Sequence, residues 1–224
     1  MNKIKKVALA TLTSLVALAA APAGAVTIDN PANTYGFAYL TGPTSTAYVG
    51  QTFTAPIDGE LTNFQFTINS SSLTSVYGVV FGWDGERPTQ ELWRSPTLAA
   101  TAGLVDFNPT GVRLAKDQTY VAFLSTFGLD GVTGQATVGS CLTFVGCSSN
   151  SIPYLGTLVW GNSYPDGIIW TPAINNSYDA TFSATISEIA AVPEPATWAM
   201  MIGGIGAVGG AMRRRQVKTT VRFA

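Results

Sequence analysis

The stretch Tyr178-Asp179-Ala180-Thr181-Phe182-Ser183-Ala184-Thr185-Ile186-Ser187 decides the fold. Tyr178, Ala180, Phe182, Ala184 and Ile186 occupy alternate positions, with Asp179, Thr181, Ser183, Thr185 and Ser187 between them. A period of two marks a half-buried strand, with one face in a core and the other in water. Its place before the C-terminal tail predicts a closing strand beside the exit to that tail.

Similar signals recur upstream at short intervals, separated by turn residues. Tyr48 to Ala55 precedes the turn Pro56-Ile57-Asp58-Gly59, and Leu61 to Ile68 alternates through Phe64, Phe66 and Ile68. Ser70 to Ser72 read as a polar turn. Val76 to Trp83 is a largely apolar strand ending at Asp84-Gly85, and Tyr120 to Thr126 is another, followed by a loop from Gly128 to Gly134. Gln135 to Val145 reads as a weaker strand, with short ones at Leu155 to Trp160 and Ile168 to Trp170. No stretch before the tail has a helical period. Many short strands without intervening helices predict an all-β domain: a single antiparallel β-sandwich, jelly-roll-like, over residues 26–190.

The two ends have a different chemistry. In the tail, Pro193 and Pro195 flank Glu194 and keep the chain extended. Ala196 to Met212 carries no charge, and its seventeen residues make a helix of roughly 25 Å, slightly short of a hydrocarbon core of about 30 Å. Arg213, Arg214 and Arg215 follow, a cluster that stays on the cytoplasmic side. The expectation is a C-terminal transmembrane helix within residues 191–224. Glycines at 203, 204, 206, 209 and 210 weaken it as a simple anchor, at about 1 kcal/mol each relative to alanine. Gly206 and Gly210 have the spacing that lets helices approach closely.

At the other end, Lys3, Lys5 and Lys6 precede an apolar run from Val7 to Ala20. Ala23-Gly24-Ala25 is a small-x-small cleavage site, so residues 1–25 read as a signal peptide helix, implying export through the Sec machinery.

Val192 to Arg215, with Pro-Glu-Pro-Ala-Thr-Trp-Ala-Met-Met at Pro193 to Met201, closely resembles the PEP-CTERM sorting signal of Gram-negative bacteria. Pro193, Glu194, Pro195, Trp198 and the three arginines carry the likeness. The resemblance implies recognition by an exosortase, a membrane-embedded cysteine peptidase, and removal of the helix near the triplet. It further implies an inner-membrane precursor, delivery to the cell surface or extracellular matrix, and association with exopolysaccharide and biofilm. A looser likeness covers Gly50 to Pro56, Leu61 to Phe66, Trp83-Asp84-Gly85, Gly111 to Leu114 and Tyr120 to Leu124. These segments resemble accessory sandwich domains of exported bacterial proteins, many of which look like carbohydrate-binding modules.

From Val26 to Val192 there are twelve acidic residues (Asp29, Asp58, Glu60, Asp84, Glu86, Glu91, Asp106, Asp117, Asp130, Asp166, Asp179, Glu188) and four basic ones (Arg87, Arg94, Arg113, Lys116). Twelve against four is a net charge of −8, whereas the whole chain carries −1. Such a domain repels phosphate backbones, which disfavours nucleic acid as a partner. With no histidine in the chain, Ser-His-Asp and Cys-His catalysis and the common zinc sites are excluded. Cys141 and Cys147 read as a disulfide closing a small loop in an oxidising compartment, worth about 2 kcal/mol. No metal or cofactor is expected.

Three places in the domain are candidates for chemistry. Trp83-Asp84-Gly85-Glu86-Arg87-Pro88, with Trp93 and Arg94 nearby, reads either as a sugar site or as a hairpin turn with a surface ion pair. Asp58-Gly59, Asp84-Gly85, Asp130-Gly131 and Asp166-Gly167 read as turns, without the ligand spacing of a calcium loop. Trp160 and Trp170 flank Asn162 to Gly167, either as an aromatic-rimmed loop for stacking polysaccharide or as strand-end packing. A glycosidase would need two acids about 5–10 Å apart in a cleft, for which Asp84, Glu86 and Glu91 are available. The expectation is a non-enzymatic structural or adhesive surface protein. A carbohydrate-binding module using Trp83, Asp84, Glu86, Trp93 or Trp170 is the alternative, and a glycoside hydrolase using Asp84 and Glu86 stands third.

Overall fold

A computed structural model describes residues 24–30, 36, 38–43, 45–142, 152–161, 171–172, 178–189 and 195–213. The signal-peptide residues before Gly24, including Ala23, lie outside the described residues. So do Cys147, the whole loop from Asn162 to Trp170, Pro193, Glu194, Arg214 and Arg215. Cys141 is described by its backbone alone, so the expected Cys141–Cys147 pairing also lies outside them.

Among the described residues sixteen strands precede one helix. The first eight are β1 (Ala25–Asp29), β2 (Ala38–Thr41), β3 (Tyr48–Thr54), β4 (Gly59–Ser71), β5 (Ser75–Trp83), β6 (Pro88–Arg94), β7 (Leu98–Ala99) and β8 (Gly103–Phe107). Then come β9 (Arg113–Leu114), β10 (Thr119–Ser125), β11 (Gln135–Val138), β12 (Ser140–Leu142), β13 (Leu155–Gly161), β14 (Thr171–Pro172), β15 (Tyr178–Ala180), β16 (Phe182–Glu188) and α1 (Pro195–Arg213). One seven-stranded sheet runs β1-β16-β4-β11-β2, with β8 and β9 also on β4. The other runs β14-β13-β3-β10-β5-β6, with β7 on β5, and a separate pair joins β12 to β15. Each strand pairing is antiparallel.

The two sheets face each other over one core, to which Phe64, Phe66, Ile68, Phe107, Phe182 and Ile186 contribute from the first sheet. Val49, Phe53, Val76, Val80, Ala122 and Leu124 contribute from the second. Phe64 stacks on Phe107 at 4.8 Å and meets Trp93 edge-on at 5.8 Å, so aromatic rings bridge the layers. The expected sandwich is therefore present. The apolar runs of β5 and β10 follow from a second layer: Tyr77, Val79, Phe81, Val121 and Phe123 on the opposite face of this sheet are buried too. A strand buried on both faces has no polar side to show in its sequence.

Four expectations need correction. The stretch Tyr178 to Ser187 is two strands, in different sheets, meeting at Thr181. The cause is a backbone joint: Thr181 N–H donates to Gly139 C=O at 2.7 Å, Gly139 N–H to Thr67 C=O at 2.7 Å, and Thr67 N–H to Thr181 C=O at 3.3 Å. Gly139 also breaks the segment expected as one strand from Gln135 to Val145 into β11 and β12. A Cβ there would stand 3.1 Å from Thr181 Cβ, tighter than ordinary packing allows. In consequence Asp179 and Thr181, expected in water, are buried at 2% and 6% exposure. The polar turn expected at Ser70 to Ser72 also moves, because β4 continues to Ser71.

Helix α1 spans the expected tail segment, with Arg213 in its last turn. Among the described residues no helix is long and apolar enough to cross a membrane, so the expected transmembrane span is not shown. Its five glycines dilute the apolarity that its nineteen residues would otherwise supply.

Candidate functional site

The chain around Asp84 forms the tip of the β5–β6 hairpin. Asp84 Oδ1 accepts from the amides of Glu86 at 2.9 Å and Arg87 at 2.8 Å, and Oδ2 faces Arg87 Nε at 3.4 Å. Asp84 N–H donates to Arg87 C=O at 3.2 Å, and Gly85 takes φ +106°, a conformation that favours glycine. The two backbone amides, aided by Arg87, hold the Asp84 carboxyl below its usual range. Glu86 is exposed at the tip. Glu91 forms a forked pair with Arg94 at 3.1 and 2.6 Å, and that guanidinium lies 4.6 Å above the ring of Tyr77. The turn and ion-pair reading of this segment is therefore the one its geometry follows.

The indoles expected to form a glycan platform do not share a face. Trp93 lies opposite Val80 and packs into the core between the sheets. Trp83 continues the row of Tyr77, Val79 and Phe81 on the other face of the same sheet and packs at the rim of that second layer. Trp170 lies outside the described residues.

A cavity of about 350 Å³ lies elsewhere, between β2 of one sheet and β3 and β13 of the other, beside the β12–β15 pair. Tyr39, Trp160 and Tyr178 supply three aromatic walls, Thr46 and Ser140 are the other polar lining residues, and Ala38, Val49 and Leu158 make up the apolar remainder. Tyr39 is half exposed at 51%, while Trp160 and Tyr178 pack partly against the core. The volume is at the low end of ligand clefts, which run roughly 300–1,000 Å³.

Next to it is the one buried acid of the described residues. Asp179 Oδ1 accepts from Gln51 Nε2 at 3.2 Å, and Gln51 Oε1 accepts from the Ala180 amide at 2.8 Å. Asn30 Nδ2 donates to Ala180 C=O at 2.6 Å, drawing the end of β1 into the same network. Burial pushes the Asp179 carboxyl up to about 7, against the opposing bond from Gln51. Asp106 shows the contrary balance on the outer face of the first sheet. Burial raises it, but amides from Asn63, Gln65 and Asn108 overcome this and hold it below the usual range.

Sequence reasoning singled out Trp160 but neither Tyr39 nor Tyr178 as cavity residues. Residues 39, 46, 140, 160 and 178 are scattered along the chain, so no local spacing announces them. Among the described residues no group of three His, Cys, Asp or Glu is placed to hold a metal ion.

The geometry defines an all-β domain whose first and last strands, β1 and β16, pair in register from Ala25↔Ser187 to Asp29↔Ser183, with a tail helix beyond. More particularly, the PEP-CTERM protein-sorting motif matches residues 191–216, so the chain carries this sorting signal at its C-terminal end, and the motif implies export and processing by exosortase from a membrane-anchored precursor. No match was found among curated proteins or among solved structures.

Proposed function

We propose that the domain is a non-catalytic structural or adhesive module of the cell surface or extracellular matrix, working among exopolysaccharide. The observation that carries this reading is the meeting of its two ends. Val26, the first residue after the cleavage site, pairs with Ile186 at the end of the β1–β16 ladder, two residues before Glu188 closes β16. Head and tail therefore leave at one corner, and the rest of the surface is available for contact. Cleavage after Ala25 leaves the pairs from Val26↔Ile186 to Asp29↔Ser183 in place, so processing does not dismantle the edge of the sheet.

A hydrolytic role has less support. The oxygens of Asp84 are engaged with the turn and those of Glu91 with Arg94, which leaves Glu86 without a carboxylate partner poised for acid–base work. Incubation with a wide polysaccharide panel should release no reducing sugar. Any release that Asp84→Asn or Glu86→Gln abolishes would restore the enzyme reading.

Sorting is tested in cells that carry an exosortase. The double substitution Pro193→Ala and Pro195→Ala should leave an uncut precursor in the inner-membrane fraction, heavier than the wild-type product by the mass of the tail. A product of unchanged mass and location would overturn the assignment of the cleavage signal.

A further inference from the structure

We propose that the cavity walled by Tyr39, Trp160 and Tyr178 is a saccharide site for one or two uncharged sugar rings. Sugars present C–H faces that pack on aromatic rings and hydroxyls that need partners. This cavity offers three aromatic side chains, with the half-buried Thr46 beside them. A purely structural gap between sheets would be filled by aliphatic side chains to native density. Here instead two tyrosines and a tryptophan, from three separate strands, border a space of about 350 Å³.

The charge pattern narrows the ligand. The described lining residues carry no charge, so none of them compensates a carboxylate or an ammonium group. The surrounding domain carries −8, which repels uronic acids and sulfated sugars. A neutral hexose unit within a longer chain fits both facts, with Tyr39 at the open side where the polymer would continue. The site deepens the surface-module reading and rests on it for biological sense, but the two fail separately. Sorting is read by mass and location in cells, whereas binding is read in purified protein.

The test uses the full chain purified in mild detergent. It is titrated with neutral oligosaccharides of glucose, galactose, mannose and N-acetylglucosamine, and with oligouronates, by tryptophan emission and by calorimetry. At least one neutral probe should saturate, and Tyr39→Ala should weaken it roughly tenfold or more, a change of about 1.4 kcal/mol. The melting temperature should stay near that of the wild type, because Tyr39 is half exposed. Thr46→Val preserves shape, removes one hydroxyl and should weaken binding several-fold, which keeps the test decisive if Tyr39→Ala unfolds. Absence of saturation by every neutral probe up to about 10 mM overturns the proposal, since that limit lies beyond ordinary weak affinity. Binding that neither substitution alters overturns it as well. Oligouronates bound as tightly as the neutral sugars would refute the uncharged class.

Discussion

The hairpin tip at Asp84 and the strand crossing at Asp179 each place a carboxylate next to an aromatic residue, Trp83 in one case and Tyr178 in the other. Asp84 is exposed, bonded to amides two and three residues along its own chain, and held acidic. Asp179 is buried, bonded to a side chain 128 positions away, and pushed up to about 7. The first arrangement is local and makes a turn. The second is assembled from strands of separate sheets, and it stands beside the aromatic cavity. A dense cluster of functional residue types in sequence is thus a poor guide here, because turns concentrate the same residues.

The largest effect that would test this contrast is at Gln51. Gln51→Ala orphans the Asp179 carboxyl and the Ala180 amide inside the protein, and should cost about 3–5 kcal/mol in urea unfolding. A loss below about 1 kcal/mol would mean the network is not integral to the crossing.

Next is Asp179→Asn. The folded pKa lies above the ordinary value of 3.8, so between about pH 4 and pH 7 the native state keeps a proton that the unfolded chain releases. Stability from this group is full below pH 4, falls as pH rises through 7, and is flat beyond. At about 1.4 kcal/mol per pH unit, the fall approaches 4 kcal/mol at most. Asp179→Asn should flatten that slope and raise stability at pH 8 by about 2–4 kcal/mol, while changing little at pH 4. Unfolding curves with parallel pH dependence in both proteins would contradict the assignment.

The smallest effect belongs to Asp84→Ala, which loosens one exposed hairpin tip. The melting temperature should drop by no more than a few degrees, without altering sugar binding or the pH slope. A loss of binding there would return the function to the hairpin.

Much of the framework was legible. Strands β3, β5, β10 and β13 stand where apolar runs bounded by turn residues placed them, and the Asp84-Gly85 step is a turn. Strands β1, β2, β6 and β8 were not anticipated. Two of them, Ala38–Thr41 and Gly103–Phe107, have too few residues for alternation to show. Pro88–Arg94 fully buries only its first residue, and its core-packed Leu92 and Trp93 are adjacent, so no alternation shows. The crossing at Thr181 was hidden because alternation runs unbroken through it, while backbone bonds to Gly139 and Thr67 turn the chain between sheets. The cavity was illegible for a related reason: its aromatic residues come from β2, β13 and β15, brought together only by that crossing.

The pairing of β1 with β16 has a mechanical consequence. The tail continues from β16, and β16 is not an edge strand: β1 flanks it on one side and β4 on the other. A pull applied to the C-terminal end would act lengthwise on a strand gripped by two ladders, whose bonds must yield together in shear instead of peeling one by one. A domain built this way yields to a pull on its C-terminal end less readily than one pulled by an edge strand.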